Sequence, residues 1–379
     1  MKRMTGEQIK DIIYGATLFG GGGGGACESG LNALHQFMED HGVKDVDDLM
    51  VQVADVEEMD ANGYAACTAA MGAPTKFKEV RIAPYINGAF EHLCAMGDRM
   101  HRDVMYSISV ELGGFNTLVP LLVAMEKGIP FLDADGSGRA VPALDTLLLH
   151  VNGMQTAPLA MSDNKGNRVG IELESVMDAQ MGEAIGRNIC VAFDQMGGLS
   201  GWMAKKTDIA KNLPVGTISL CQQAGQAARG ASSAAETFAR LQEISGLDCA
   251  FVAEGKAVAA GNAQVDGFDK GFLVIEGKDG HTWKTNYLNE TLILQRDGEV
   301  VMTAPDIICY CQSSTGKPLS NADIVSKSGD ILLQDIAIGT IKVNEKWWES
   351  GVPYLQKIWN RYFKLLGFEG QPIVPFSAK

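Results

Sequence analysis

Residues 104 to 139 read VMYSISVELGGFNTLVPLLVAMEKGIPFLDADGSGR and contain the clearest secondary-structure pattern in the sequence. Apolar residues alternate through 104–110 with the two-residue period of a strand. Leucines and a methionine then recur at helical spacing through 118–125, and Gly128 can close that helix in a left-handed conformation. A short apolar run at 129–132 suits a buried strand. The stretch therefore predicts a strand, a helix and a second strand.

An acidic, glycine-rich turn follows each of these two strands. The first turn is Glu111-Leu-Gly-Gly-Phe-Asn116, and the second is Asp133-Ala-Asp-Gly-Ser-Gly-Arg139. A crossover helix joins parallel neighbours, so both turns are expected at the carboxyl edge of one sheet, where open α/β sheets bind ligands. A single turn of this kind is usually structural, because Asp and Gly are common turn residues. Two such turns at one edge favour an active site.

Carboxylates that lie close together push their pKa values apart, which prepares one as an acid and the other as a base. The candidates for this chemistry are Glu111, Asp133 and Asp135. The same three oxygen donors leave open a divalent metal held by carboxylates alone. A Cys/His metal site is not expected, because the sequence has no CxxC pair and no HExxH motif. No cofactor is expected.

Six consecutive glycines, Gly20 to Gly25, lie between two amphipathic helix patterns. Thr5 and Gln8 form a capping-box pattern at the start of the first helix. The glycine run lacks the Lys-Ser/Thr of a phosphate-binding loop, and no strand precedes it. Its alternatives are a surface linker or a loop whose backbone amides contact a ligand, with Gly23, Gly24 and Gly25 as the candidate contacts. Cys27, at the start of the next helix, is a less favoured candidate nucleophile.

Composition narrows the class of protein. The chain has 379 residues, and its 32 basic and 46 acidic residues give a net charge of −14, which argues against binding nucleic acid or anionic membranes. The sequence shows neither a signal-peptide pattern nor an apolar run long enough for a bilayer, so we expect a cytoplasmic protein. The eight cysteines stand mostly in apolar stretches and are expected to be reduced and buried. The oligomeric state, including a homo-oligomer, is left open.

The sequence predicts two domains: residues 1–165 form an α/β domain with a mostly parallel sheet, and residues 166–379 form an α+β domain rich in antiparallel β-structure. The polar turn at 163–167 marks the boundary. Alanine-rich helices are expected through 177–245, with Gly197, Gly198 and Gly201 loosening the chain between them. Short strands follow, separated by Asp-Gly and Glu-Gly turns such as the one at Asp266. Aromatic residues in the last segment are expected to serve packing, and that segment could pack back on the first domain.

Several segments together resemble the S-methyl thiohydantoin desulfurase-like family. They are the glycine run, Met71-Gly-Ala-Pro74, the two acidic turns, Asn289-Glu290 and Thr303-Ala-Pro-Asp-Ile307. The resemblance implies a two-part cytosolic hydrolase that converts an S-methylated thiohydantoin into a hydantoin with loss of methanethiol. It also implies a small heterocyclic substrate, expected to carry a carboxylate.

The resemblance suggests roles for the candidate residues. Water can add to the carbon between two nitrogens and a sulfur once a ring nitrogen is protonated, and the carboxylates could supply the acid and the base. Arg139 could bind a substrate carboxylate with its planar fork, or form a structural ion pair with Asp133 or Asp135. Asn116 could hydrogen-bond a ring carbonyl. The alternative function is a non-catalytic subunit that holds a ligand or nucleotide for a hydantoinase- or oxoprolinase-type enzyme.

Overall fold

Residues 104–139 form the predicted strand, helix and strand in a computed structural model that describes residues 1–72, 80–265 and 267–377. The elements are Val104–Ser109, Leu118–Lys127 and Phe131–Asp135. The helix ends at Gly128, whose φ of 63° is left-handed as predicted. The second strand is longer than predicted, so Asp133 and Asp135 belong to the strand itself and not to the turn after it.

The first eight strands of the chain form one sheet. Their bounds are β1 Lys2–Thr5, β2 Met50–Ala54, β3 Tyr64–Gly72, β4 Val104–Ser109, β5 Phe131–Asp135, β6 Leu159–Ser162, β7 Arg168–Ile171 and β8 Met196–Lys205. The order across the sheet is β1-β2-β5-β4-β3-β8-β6-β7. Neighbours from β2 to β3 are parallel, and β6 runs with them because it is antiparallel to β8, which is antiparallel to β3. Five of the eight strands therefore share one direction.

The remaining strands form a second, entirely antiparallel sheet. Their bounds are β9 Cys249–Val265, β10 Phe268–Gly277, β11 Thr282–Leu288, β12 Glu290–Arg296, β13 Glu299–Thr303, β14 Ile307–Gln312, β15 Pro318–Leu319 and β16 Asp335–Ile341. The order across this sheet is β13-β12-β11-β10-β9-β16-β14-β15. Each pair of neighbours is antiparallel. The predicted fold class is thus confirmed for both parts of the chain.

Helices connect and cover the strands. Their bounds are α1 Gly6–Phe19, α2 Cys27–Asp40, α3 Ala83–Arg99, α4 Leu118–Lys127, α5 Leu148–Val151, α6 Ala179–Ala192, α7 Lys206–Asn212, α8 Thr217–Arg229, α9 Ala234–Leu241, α10 Asn321–Ile324 and α11 Val352–Leu365. The capping box at the start of α1 is confirmed, because Thr5 N donates to Gln8 Oε1 at 3.0 Å and Gln8 N donates to Thr5 Oγ1 at 3.4 Å. Trp347 and Trp359 are fully buried, as expected for packing residues.

The chain divides into two compact units. The first comprises Met1–Lys10, Glu28–Gly138 and Ala143–Ser219, and the second comprises Asp11–Cys27, Arg139–Pro142 and Leu220–Lys379. The turn at 163–167 joins β6 to β7, which pair with each other. The predicted boundary at residue 165 stays a prediction. Ala73 and Pro74 of the Met71–Pro74 motif, and Asp266 of its turn, lie outside the described residues.

The chain around Gly197, Gly198 and Gly201 differs from the prediction. The sequence predicted a loose connection between helices at these glycines. They lie instead in β8, which pairs with β3 and β6. The reason is steric: a Cβ atom on Gly198 would lie 2.0 Å from the carbonyl oxygen of Tyr85. Glycine at this position permits the close approach of α3 to the sheet. Because glycine has a low strand propensity, the sequence did not indicate a strand here.

Helices α1 and α8 also meet at glycines. A Cβ on Gly15 would lie 1.9 Å from the carbonyl oxygen of Cys221, and a Cβ on Gly225 would lie 1.7 Å from that of Asp11. Both contacts are with backbone, which cannot rotate away as a side chain could. The two helices can therefore keep this spacing only while both positions lack a side chain.

We expect Gly225→Ala to lower the free energy of unfolding by about 3 kcal/mol, because the helices must separate to admit the methyl group. Urea unfolding measures the change. Gln226→Ala is the matched control, since Gln226 is exposed on the same helix and should change stability by less than about 0.5 kcal/mol. Equal stability of the two variants would contradict the close helix contact.

Candidate active site

The two acidic turns lie side by side at the carboxyl edge of the first sheet, as predicted. The strands β4 and β5 that precede them are parallel neighbours. Gly136 N donates a hydrogen bond to Ser109 O at 2.9 Å, and a Cβ on Gly136 would lie 2.4 Å from Val110 O. The backbone after β5 thus touches the backbone that leads into Glu111. This contact needs a residue without a side chain at position 136.

A segment far away in sequence crosses the end of β5. This crossing segment is residues 214–219 and includes the first turn of α8. Its backbone pairs antiparallel with β5 through a bridge between Ala134 and Val215. Gly216 N donates to Asp133 O at 2.7 Å, and Asp135 N donates to Pro214 O at 3.4 Å. Sequence reasoning missed this segment, because it carries no strand periodicity of its own.

Asp133 is tied into the start of α8. Its Oδ1 accepts from Ile218 N and Ser219 N, both at 2.9 Å, and its Oδ2 accepts from Ser219 Oγ and from Lys2 Nζ at 3.3 Å. Burial alone would lower the pKa of Lys2, but the charge and hydrogen bonds of Asp133 and Asp55 raise it. A carboxylate at a helix N-terminus also interacts favourably with the helix dipole. The geometry suits an anchor between β5 and α8.

Asp135 is in a different environment, although it is only two residues away. The side chain is fully buried, and its Oδ1 accepts from Ser137 N at 2.8 Å and Gly138 N at 2.5 Å. Burial raises the pKa of Asp135 to about 6, partly offset by these two backbone bonds and by the Thr217 hydroxyl. Within the described part of the chain, no group makes a hydrogen bond to Oδ2. Asp135 can therefore exchange a proton near neutral pH.

Glu111 and Asn116 form a pair within the first turn. Asn116 Nδ2 donates to Glu111 Oε1 at 2.5 Å, and the Glu111 side chain is 8% exposed. Ser109 Oγ also donates to the backbone oxygen of Glu111 at 2.6 Å. The first bond orients the carboxylate, and the second holds the backbone of the turn. The role of Glu111 in catalysis, and of Asn116 in binding a substrate carbonyl, stay predictions.

The glycine run belongs to the second unit and is an ordered, closely packed loop. Gly24 and Gly25 have φ values of 65° and 83°, which favour glycine. Thr291 N donates to the oxygen of Gly21 at 2.8 Å, and a Cβ on Gly23 would lie 2.1 Å from Glu290 Oε1. These contacts contradict the flexible-linker alternative. Ligand contact by Gly23, Gly24 and Gly25 stays a prediction.

Arg139 is also in the second unit and is fully buried. Its Nε donates to Ala140 O at 2.8 Å, and its Nη1 donates to Pro305 O at 2.5 Å and Asp306 O at 3.1 Å. The guanidinium lies 5.6 Å from the centre of the Trp359 ring. These contacts give the side chain a structural task, and its role as a clamp for a substrate carboxylate stays a prediction.

Cys27 is the first residue of α2, as predicted, and its side chain is 1% exposed. Within the described residues, no disulfide joins the cysteines, and all except the half-buried Cys94 are buried. Burial raises the pKa of Cys190 and Cys249 to about 11 and that of Cys311 to about 12. The burial expected from the sequence is thus found for all of them except Cys94, whereas their reduced state and the nucleophilic role of Cys27 stay predictions.

In the three described ranges, no group of three or more His, Cys, Asp and Glu side chains could hold a metal ion, and Glu111, Asp133 and Asp135 do not form one. No helix within those ranges is both long and apolar enough to cross a bilayer.

Two surface cavities in the described part of the chain lie away from the predicted residues. One, of about 200 Å³, lies in the first unit beside Tyr85, Asp163 and Asp194. Another, of about 480 Å³, lies in the second unit beside Lys256, Glu276 and other residues of the antiparallel sheet. Neither is lined by a predicted site residue.

Comparison with known proteins gives a family and a fold. Residues 7–172 match the N-terminal domain of proteins described as S-Me-THD-like, and residues 177–348 match the C-terminal domain. No curated protein matches the chain. An X-ray crystal structure of a protein from Chromobacterium violaceum is similar over 100% of both chains, with a TM-score of 0.84 and 23% sequence identity. At that identity the likeness supports the fold alone.

Proposed function

Because this chain belongs to the S-Me-THD-like family, we propose that it is a hydrolase that cleaves the C–S bond of an S-methyl thiohydantoin, yielding a hydantoin and methanethiol. The family predicted from the sequence is thereby confirmed, and the reaction is our proposal. The observation that carries it is the buried Asp135 carboxyl at the carboxyl end of a parallel strand, with a pKa of about 6.

The reaction needs one water and two proton transfers. The C–S carbon of the substrate is bonded to the methylthio sulfur and to two ring nitrogens, one of them through a double bond. Addition of water forms a C–O bond, and loss of methanethiolate breaks the C–S bond. One proton of the water passes to the ring nitrogen and the other to the leaving sulfur, which balances hydantoin and methanethiol against substrate and water.

We assign the proton transfers to Asp135. A carboxyl with a pKa of about 6 is present in both forms within about one pH unit of that value, so it can protonate the ring nitrogen and then accept the proton of the water. Glu111, at the end of the neighbouring strand, is the candidate for the second carboxylate. Asp133 we assign to positioning, since its two oxygens already accept four hydrogen bonds.

The wild-type protein is expected to release methanethiol catalytically from S-methyl thiohydantoins that carry an acidic side chain. A thiol reagent follows methanethiol, and mass spectrometry follows the hydantoin. In water enriched in oxygen-18, the new ring carbonyl should carry the label, because its oxygen comes from the attacking water. Tight binding of the substrate by folded protein, with no methanethiol, would contradict the proposal and favour a ligand-binding subunit.

A further inference from the structure

Thr217 is the first residue of α8 and lies in the middle of the crossing segment. Its side chain is 5% exposed. Within the described ranges, its Oγ1 makes no hydrogen bond, and neither does Asp135 Oδ2. A buried hydroxyl and a buried carboxyl oxygen that both lack partners are costly, unless each serves the other or a bound group.

The two side chains are neighbours. The Thr217 hydroxyl is near enough to lower the pKa of Asp135, although the strict geometry of a hydrogen bond is not met. A rotation about the Cα–Cβ bond of Thr217 is a small change that can close this gap. The hydroxyl then donates to Oδ2, the one carboxyl oxygen that the turn amides of Ser137 and Gly138 leave unused.

The backbone on both sides of Thr217 is fixed to β5. Gly216 N donates to Asp133 O at 2.7 Å, and Ile218 N donates to Asp133 Oδ1 at 2.9 Å. Thr217 therefore cannot move away from the end of β5 without breaking both bonds. The anchor formed by Asp133 thus holds the hydroxyl beside Asp135.

We propose that Thr217 is a positioning residue for Asp135, and that its hydroxyl donates to Oδ2 and orients the carboxyl for proton transfer. This inference rests on the hydrolytic function proposed above. It adds a residue that no sequence motif singled out, and it gives the crossing segment a task in the reaction. Thr217 itself exchanges no proton with the substrate.

The test compares Thr217→Val, which keeps the shape and removes the hydroxyl, with Thr217→Ser, which keeps the hydroxyl. In Thr217→Val, we expect kcat to fall about tenfold with little change in KM. The inflection of the pH–rate profile that reports Asp135 should move up by about one pH unit, because the charged carboxylate loses a donor. Thr217→Ser should keep the wild-type inflection.

A second readout does not depend on activity. The pH dependence of the free energy of unfolding between pH 5 and pH 8 also reports the titration of Asp135. The midpoint of this pH dependence should move to higher pH in Thr217→Val and should not change in Thr217→Ser. The inference would be overturned if the wild type and Thr217→Val had the same pH–rate profile and the same pH dependence of the unfolding free energy. A shifted unfolding profile without methanethiol release by the wild type would support the Thr217–Asp135 pairing and overturn the proposed reaction.

Discussion

Asp135→Asn is expected to stop methanethiol release and, at pH 8, to make the folded protein more stable. An amide cannot exchange the proton that the carboxyl moves, so kcat should fall by roughly 10²- to 10⁴-fold. The fold should survive, because an amide oxygen can still accept from Ser137 N and Gly138 N. The measurements are methanethiol release under saturating substrate and urea unfolding of the same samples.

The gain in stability follows from the direction of the pKa shift. Burial raises the folded-state pKa of Asp135 from 3.8 to about 6, so the folded protein binds this proton more tightly than the unfolded chain does. The wild type therefore loses stability as the pH rises from about 4 to about 6, and the loss persists above that range. A shift of this size corresponds to about 3 kcal/mol, which the uncharged amide avoids at pH 8.

Asp163→Asn is the matched control, because it should change the free energy of unfolding in the opposite direction. Burial opposes ionisation of Asp163, but hydrogen bonds from Asn167 and Lys165 outweigh it and lower its pKa. Asp163→Asn should therefore destabilise the protein at neutral pH. The difference in unfolding free energy between this variant and the wild type should become smaller as the pH falls. Equal pH dependence for the two variants would show that the buried charge of Asp135 does not have the cost we describe.

Asp133→Asn is expected to have the opposite effect on stability from Asp135→Asn, although the two residues lie on one strand. The new amide nitrogen would face Lys2 Nζ and Ser219 Oγ in place of a carboxylate oxygen. The loss of the ion pair and of charge at the start of α8 should lower the free energy of unfolding by about 2 kcal/mol.

In the roles we propose, Asp133 holds the first residues of α8 and transfers no proton, so the activity of Asp133→Asn should fall far less than that of Asp135→Asn. Lys2→Met is the control: it removes the same ion pair and should account for only part of the loss in stability. If Asp133→Asn were folded but released no methanethiol, the assignment of positioning to Asp133 and proton transfer to Asp135 would be wrong. Asp133 would then be a candidate for the proton-transfer step.

Much of the fold could be predicted from local pattern. The stretch from 104 to 139 showed its strand, helix and strand because periodicity and a closing glycine agree there. The capping box of Thr5 and Gln8 could also be predicted, because the two residues stand three positions apart at the start of a helix pattern. Strand β8 was missed, because its glycines resemble a loop until the packing of α3 against Gly198 is known.

The candidate site residues could be named from the sequence, and their roles stay predictions, but the different surroundings of Asp133 and Asp135 could not be predicted. The carboxylates of Asp133 and Asp135 look equivalent in sequence. They differ because the crossing segment, about eighty residues further along the chain, supplies donors to Asp133. Asp135 instead accepts from the turn amides of Ser137 and Gly138 and is fully buried. The segment has no strand or helix pattern over residues 214–216, so neither its pairing with β5 nor the position of Thr217 could be predicted.

The central claim is that Asp135 transfers the proton in a hydrolytic C–S cleavage. The most direct measurement is methanethiol release by wild type and Asp135→Asn, made alongside unfolding of both proteins in urea at pH 8. We predict release by the wild type alone, together with a higher unfolding free energy for the variant. Release by Asp135→Asn at the wild-type rate would contradict the claim.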